Sequence, residues 1–301
     1  MVEFIQHIIN GLSLGSIYAL IALGYTMVFG VLQLINFAHG DIYMMGAFVG
    51  LFSSRWLGLA AHPSLGSLLI AIVCAMTVCA LTGYLIERLA YRPLRKSPRI
   101  NLLITAVGVS LFLEFSGQLW LGADPKFFPE IFKFDGGLLK WGDIVLNPLT
   151  LTVLIISLSL MALLHILVTR TRLGRAMRAV SFSHDHAALM GIPTDRIISA
   201  TFMLGSALAG AAGVMVGLIY PKIEPLMGVL PGLKAFVAAV LGGIGNLTGA
   251  VLGAMILGMS EEFLVGYGSS AYRDALAFAI LILTLLIKPT GLLGHGKVEK
   301  V

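Results

Sequence analysis

The feature that most constrains this chain is a succession of apolar runs, each close to the thickness of a lipid bilayer. A helix needs about 20 apolar residues to cross the hydrocarbon core. Runs near that length fall at Phe4–Gly30, Ser67–Ile86, Ile100–Leu121, Leu149–Val168, Ile197–Tyr220 and, somewhat shorter, Ala271–Ile287. A water-exposed fold cannot absorb them. Of the 301 residues 58% are hydrophobic and only 12% charged, against roughly 25% charged in soluble domains. Two further runs, Val31–Phe52 and Gly232–Val265, are apolar but interrupted. The expected architecture is therefore an all-α integral membrane protein with about eight membrane segments, two of them interrupted or re-entrant. It forms one transmembrane domain over residues 1–301. The 35 glycines suit close packing of helices in lipid.

Several other classes fall away. Cys74 and Cys79 share one apolar run, which gives neither a disulfide framework nor metal-ligand spacing. The first thirty residues lack a basic leader and a small-residue cleavage site, so they read as a retained first span. The net charge of +5 sits in basic residues flanking apolar runs; this is membrane topology, not nucleic-acid binding. Near the end, Gly291–Lys297 spells G-x-x-x-x-G-K, but Val298 follows where a phosphate loop needs Ser or Thr, and no helix follows. Asn246-Leu-Thr248 is a formal glycosylation sequon inside a membrane run and is read as chance. No nucleophile accompanies His39 and Asp41, and no catalytic set, metal site or cofactor site emerges.

Charge sets the orientation. Arg88, Arg92, Arg95, Lys96 and Arg99 fill one loop, and Arg170, Arg172, Arg175, Arg178 and Arg196 another. Half of the twenty Lys and Arg thus lie in two loops, both placed in the cytoplasm by the positive-inside bias. The loop between the two intervening spans, about residues 122–148, carries three lysines against four acids and is expected outside. The side on which Met1 lies depends on whether Val31–Phe52 crosses or re-enters.

The interrupted runs carry the candidate pathway. "NFAHGDIYMMGAFVG" begins at Asn36 and "NLTGAVLGAMILG" at Asn246. Paired interruptions in two halves of a chain point to a transport route lined by broken helices, or else to two glycine packing sites. The candidates are Asn36, His39, Gly40, Asp41, Gly242, Gly243, Gly245 and Asn246, with Glu114 as an ionisable residue inside a span. Glu261 and Glu262 are expected at a wet interface.

The stretch Thr169–Arg196 is the polar exception, with five arginines, two aspartates and two histidines. Leu173–Ala179 favours helix. Ser183 can cap a short helix over His184–Met190, Gly191 can stop it in the left-handed region, and Pro193 blocks continuation. Orientation alone needs no capped helix. Such an element, over about residues 170–196, reads as a docking lever for a separate motor, with Arg175, Arg178, Asp185, Ala187, Ala188 and Gly191 as its candidate residues.

At these residues a resemblance becomes visible. "GYTMVFGVLQLINFAHGDIYMMGAF", "ERLAYRPLR", "GRAMRAV", "AALMGIPTDRI", "GLKAFVAAVLGGIGNLTGAVLGA" and "KPTGLLG" are together similar to the permease subunits of bacterial ABC importers for branched-chain amino acids, of the LivH type. The resemblance spans nearly the whole chain. It implies a non-enzymatic subunit of the bacterial inner membrane that pairs with a second, related permease. Two cytoplasmic ATPase subunits would use ATP and magnesium on its behalf, and a periplasmic binding protein would deliver the amino acid. The family's E-A-A-x-x-x-G coupling pattern is matched only by Ala187, Ala188 and Gly191; the acid, Asp185, is displaced and the gap to glycine is one residue shorter. From the residues alone, urea, short amides or a sugar remain alternative cargoes, and a carrier or channel working without an ATPase remains an alternative mechanism.

Overall fold

The computed structural model describes residues 2–95, 97–134, 139–141 and 144–294. In chain order these form α1 (Val2–Leu32), α2 (His39–Trp56), α3 (Leu65–Ile86), α4 (Arg99–Leu121), β1 (Lys126–Phe127), β2 (Leu139–Trp141), β3 (Ile144–Leu146), α5 (Pro148–Arg170), α6 (Arg172–Phe182), α7 (His184–Leu189), α8 (Thr194–Ile219), β4 (Lys222–Ile223), α9 (Val229–Gly242), α10 (Leu247–Tyr267) and α11 (Arg273–Ile287). Among the described residues seven helical segments are long and apolar enough to cross a membrane, against the expectation of about eight. The strands are minor: β1 pairs antiparallel with β4, and β2 with β3.

Local chemistry fixes many boundaries. Ser64, Asn147, Thr171, Ser183 and Asn246 each accept a backbone N–H from the first turn of the helix that follows, which satisfies donors that have no partner inside the helix. Pro148 adds a preset φ at the start of α5. Helices α1, α2, α8 and the first half of α9–α10 form the buried centre, whereas α3, α4, α5 and α11 keep broad apolar faces exposed, as lipid- or protein-covered spans do.

Contacts at the ends give the direction of each helix. His7 lies against Tyr267 and Glu262, so α1 runs antiparallel to α10. The start of α10 shares a cavity with Arg99, Arg178 and the end of α5, all at the basic end of the bundle, which the positive-inside bias assigns to the cytoplasm. The Val2 end of α1 therefore lies at the opposite end of the bundle from these arginines, the end that the same bias assigns to the outside.

Three expectations change. The basic stretch from Arg88 is not a loop: α3 continues through a π turn over Glu87–Tyr91 and a 3-10 turn over Arg92–Leu94. The run Gly232–Val265 is not one broken span. Asn246 sits in a tight turn that joins α9 and α10 as an antiparallel hairpin at the cytoplasmic end. And Glu261 is fully buried rather than wet.

Candidate functional site

Two helices begin in the interior of the bundle. The chain leaves α1 at Leu32, turns through residues 33–38 and starts α2 beside Gly24 of α1, which itself packs on Gly205 near the middle of α8. α2 then runs outward, and its far end meets the external β1 region, where Phe128 packs on Gly50. α9 starts at Val229, after an irregular segment that follows β4, and runs to the cytoplasmic hairpin turn. The first turns of α2 and α9 meet backbone to backbone. A Cβ on Gly40 would lie 2.6 Å from the Gly228 carbonyl oxygen and 3.2 Å from the Gly232 Cα. Glycine is required at this contact by close approach, not by φ.

Around that contact sit polar groups the sequence singles out. Asn36 is buried, and its Oδ1 accepts the Tyr91 hydroxyl at 2.8 Å. His39 is buried against Gly24, with the Tyr25 ring edge-on at 4.8 Å. Asp41 projects to the other side of α2, where the Ser110 hydroxyl, halfway along α4, donates to it at 2.5 Å. Glu114 lies one turn further along the same face of α4. The structure thus gathers Asn36, His39, Gly40 and Asp41 around the start of α2, with Glu114 one turn beyond Ser110 on α4. It does not bring Gly242, Gly243, Gly245 and Asn246 there. Those residues form the cytoplasmic turn, where Gly243 packs on Gly294 and the Asn246 side chain donates to the Leu293 carbonyl at 2.9 Å. The partner of the first discontinuity is the break at Gly228, which carries no asparagine to flag it.

At the basic end of the bundle Thr171 opens α6 and Ser183 opens α7, accepting from His186 N at 3.3 Å. α7 closes in a Schellman motif: Ile192 N–H bonds the Ala187 carbonyl at 3.0 Å, Gly191 N–H bonds the Ala188 carbonyl at 2.9 Å, and Gly191 has φ of 76°. Ala187 faces inward and is buried, while Arg175, Asp185, Ala188 and Gly191 are exposed. Three large apolar side chains stand free beside them: Phe182 is 90% exposed, Leu189 84% and Met190 82%. Arg178 donates to the Val168 carbonyl at the end of α5. It also lines a cavity of about 740 Å³ together with Gly245 and Asn246, so one docking candidate and two pathway candidates share a vestibule at the basic end.

Two charge clusters are absent from the sequence reading. Glu87, fully buried, takes the Arg95 guanidinium and the Ser199 hydroxyl; Asp195, in the first turn of α8, takes Arg92 and, at 2.7 Å, Arg95. The other cluster joins α1, α9, α10 and α11. Lys234 Nζ meets Glu261 at 3.0 Å and Asp274 at 2.7 Å, the Tyr18 hydroxyl donates to Glu261 at 3.1 Å, and Arg273 reaches Glu261 at 3.5 Å and Glu262 at 3.3 Å. The available signal was Lys234 itself, the single charge within Val229–Gly242: a cation inside a membrane helix requires a partner.

A bundle of apolar spans with two helices starting at its centre and a capped, exposed element on its basic face defines a multi-pass membrane permease. The chain belongs to the family described as branched-chain amino acid transport system / permease component, which matches residues 7–285. It is 42% identical over 302 aligned residues to the high-affinity branched-chain amino acid transport system permease protein LivH of Escherichia coli K12, covering 99% of this chain and 98% of the relative. The corresponding protein BraD of Pseudomonas aeruginosa is 41% identical over the same shares. The ribose import permease RbsC of Escherichia coli K12 is more distant, 25% identical with 94% of this chain and 85% of the relative covered. No solved structure matches the chain.

Proposed function

We propose that this chain is one permease subunit of an ATP-driven importer of the bacterial cytoplasmic membrane and carries branched-chain amino acids. The observation behind the cargo is the 42% identity, over almost the full length of both chains, to a permease named for that cargo. In this reading a second, related permease completes the route, two ATPase subunits on the inner face supply the work, and a binding protein on the outer face delivers the amino acid.

The geometry supports a division of labour. Substrate meets the interior where α2 and α9 begin. A zwitterion needs an acceptor for its ammonium and donors for its carboxylate. Asp41 with Ser110 supplies the first, and the positive dipole ends of α2 and α9 favour the second. The lever is α6–α7. Phe182, Leu189 and Met190 are the kind of exposed apolar anchors that a cytoplasmic partner covers. Arg175 and Asp185 beside them set register.

The test is co-purification. Full-length protein with Phe182→Ser, Leu189→Ser and Met190→Ser is expected to lose its ATPase subunits while remaining inserted and soluble in detergent, and uptake of radiolabelled leucine should fall to background. Undiminished ATPase recovery would overturn the lever assignment. Uptake of leucine by vesicles holding the purified chain alone would overturn the importer itself. Uptake of ribose, urea or a short amide in place of leucine would move the cargo and leave the machine intact.

A further inference from the structure

A groove of about 650 Å³ runs between the cytoplasmic ends of α3 and α8. Each wall is a single helical face. Tyr84, Arg88 and Arg92 follow one another at four-residue spacing along α3 and its extension, and Arg196, Ala200 and Met203 line the facing side of α8. Ile192–Asp195 close the floor. The acids at this end are already engaged: Asp195 holds Arg92 and Arg95, and Glu87 holds Arg95 and Ser199. Arg88 and Arg196 are exposed and have no acidic partner among the described residues.

What lies above the groove narrows its occupant. Leu81 and Leu85, exposed by 54% and 52%, form the adjoining stripe of α3 above the arginines, and Leu89, 71% exposed, stands level with Arg88. The site is therefore amphipathic along the membrane normal, with cationic forks at the inner boundary and an open apolar stripe rising into the hydrocarbon. A cytoplasmic protein could reach the forks but not the stripe. A groove of this size exceeds what a single inorganic ion fills and falls in the range of small-molecule sites. Guanidinium groups match phosphate oxygens in a two-pronged fit that lysine lacks, and anionic lipids populate the cytoplasmic leaflet.

We infer that the α3–α8 groove binds an anionic phospholipid of the inner leaflet. Arg88 and Arg196 clasp its phosphate from the two helices, and its acyl chains lie along Leu81 and Leu85. The bound headgroup bridges α3 to the first turn of α8, which begins two residues after the Gly191–Ile192 stop of α7. The lipid thus braces the segment through which the lever enters the membrane. The inference is independent of the cargo.

Native mass spectrometry of the full chain, with whatever subunits co-purify, tests this directly. Wild type is expected to retain phosphatidylglycerol through mild delipidation, and Arg88→Gln with Arg196→Gln to lose it several-fold. Lysine at both positions should restore only part of the retention. Equal retention in wild type and the glutamine variant would overturn the site. Loss of a protein subunit with lipid retention unchanged would also overturn it, by assigning the arginines to an acidic protein surface. Should the variant fail to insert, photoactivatable phosphatidylglycerol added to wild type decides: adducts on residues 81–92 or 196–203 support the site, and adducts confined to other segments refute it.

Discussion

Lys234 and Glu261 are costly residues to place in this bundle. Both are buried, and each requires the other. Desolvating an ion pair costs several kcal/mol and is offset only when geometry and further hydrogen bonds are good; removing one partner leaves an orphaned charge, at about 3–5 kcal/mol. Glu261→Ala is expected near the lower end of that range, about 3 kcal/mol, because Lys234 keeps Asp274. The double variant Lys234→Met with Glu261→Leu should recover most of the loss. Thermal unfolding of the purified protein in detergent measures both, and equal destabilisation of single and double variants would refute the pairing. Sequence adjacency hid this arrangement. Glu261 and Glu262 read as one wet pair, yet neighbours on a helix point about 100° apart, so Glu261 turns to α9 while Glu262 turns to α1, reaching Asn10 at 3.4 Å. Asp41 was legible as a membrane carboxyl, but its partner Ser110 is 69 residues away and no local pattern joins them. Asp41→Asn keeps the shape and removes the charge. We expect it to reduce leucine uptake at least tenfold without changing ATPase co-purification; unchanged uptake would remove Asp41 from the route.

Among the elements, α7 was the most readable, because caps are local chemistry. Ser183, Gly191 and Pro193 announce its start, stop and block before any tertiary contact is known. A helix of six residues is too short to hold itself, so each cap matters. Ser183→Ala should cost about 1 kcal/mol through the lost bond to His186 N–H, and Gly191→Ala about 1 kcal/mol or more through the left-handed φ. Amide hydrogen exchange over residues 183–192 is expected to quicken in both variants while α8 stays protected. Faster exchange throughout the bundle would show that α7 is part of the core rather than a separately held lever. The α9–α10 hairpin was less readable. An apolar run broken by glycines describes a kinked span and a tight helical turn equally well, and Asn246 caps a helix as readily as it lines a route. The true counterpart of the Asn36 break, at Gly228, carries no polar residue, so composition could not flag it.

At the scale of the whole molecule, the six uninterrupted spans and their order followed from apolar length, whereas about eight segments were expected and seven helical segments of the described residues are long and apolar enough to cross. The direction of α1 did not follow. Whether residues 33–38 cross or turn back depends on packing against α8 and α9, far away in sequence. With α1 antiparallel to α10, Glu3 and Ser181 lie at opposite ends of the bundle, and the positive-inside bias assigns Ser181 to the inside. In a background with Cys74 and Cys79 replaced by alanine, Glu3→Cys is expected to react with a membrane-impermeant maleimide once the outer face is accessible, and Ser181→Cys only after lysis. The reverse pattern would invert the bundle. The overlap at the centre has a mechanical corollary. α2 and α9 lap by a single turn, from Gly40 to Met44 against Gly228 to Gly232, and much of that lap is faced by bare backbone. Rotation there lifts few ridges out of grooves. This contact is thus a bearing rather than a weld, on which the two helix starts can turn against each other while both keep their backbone bonds.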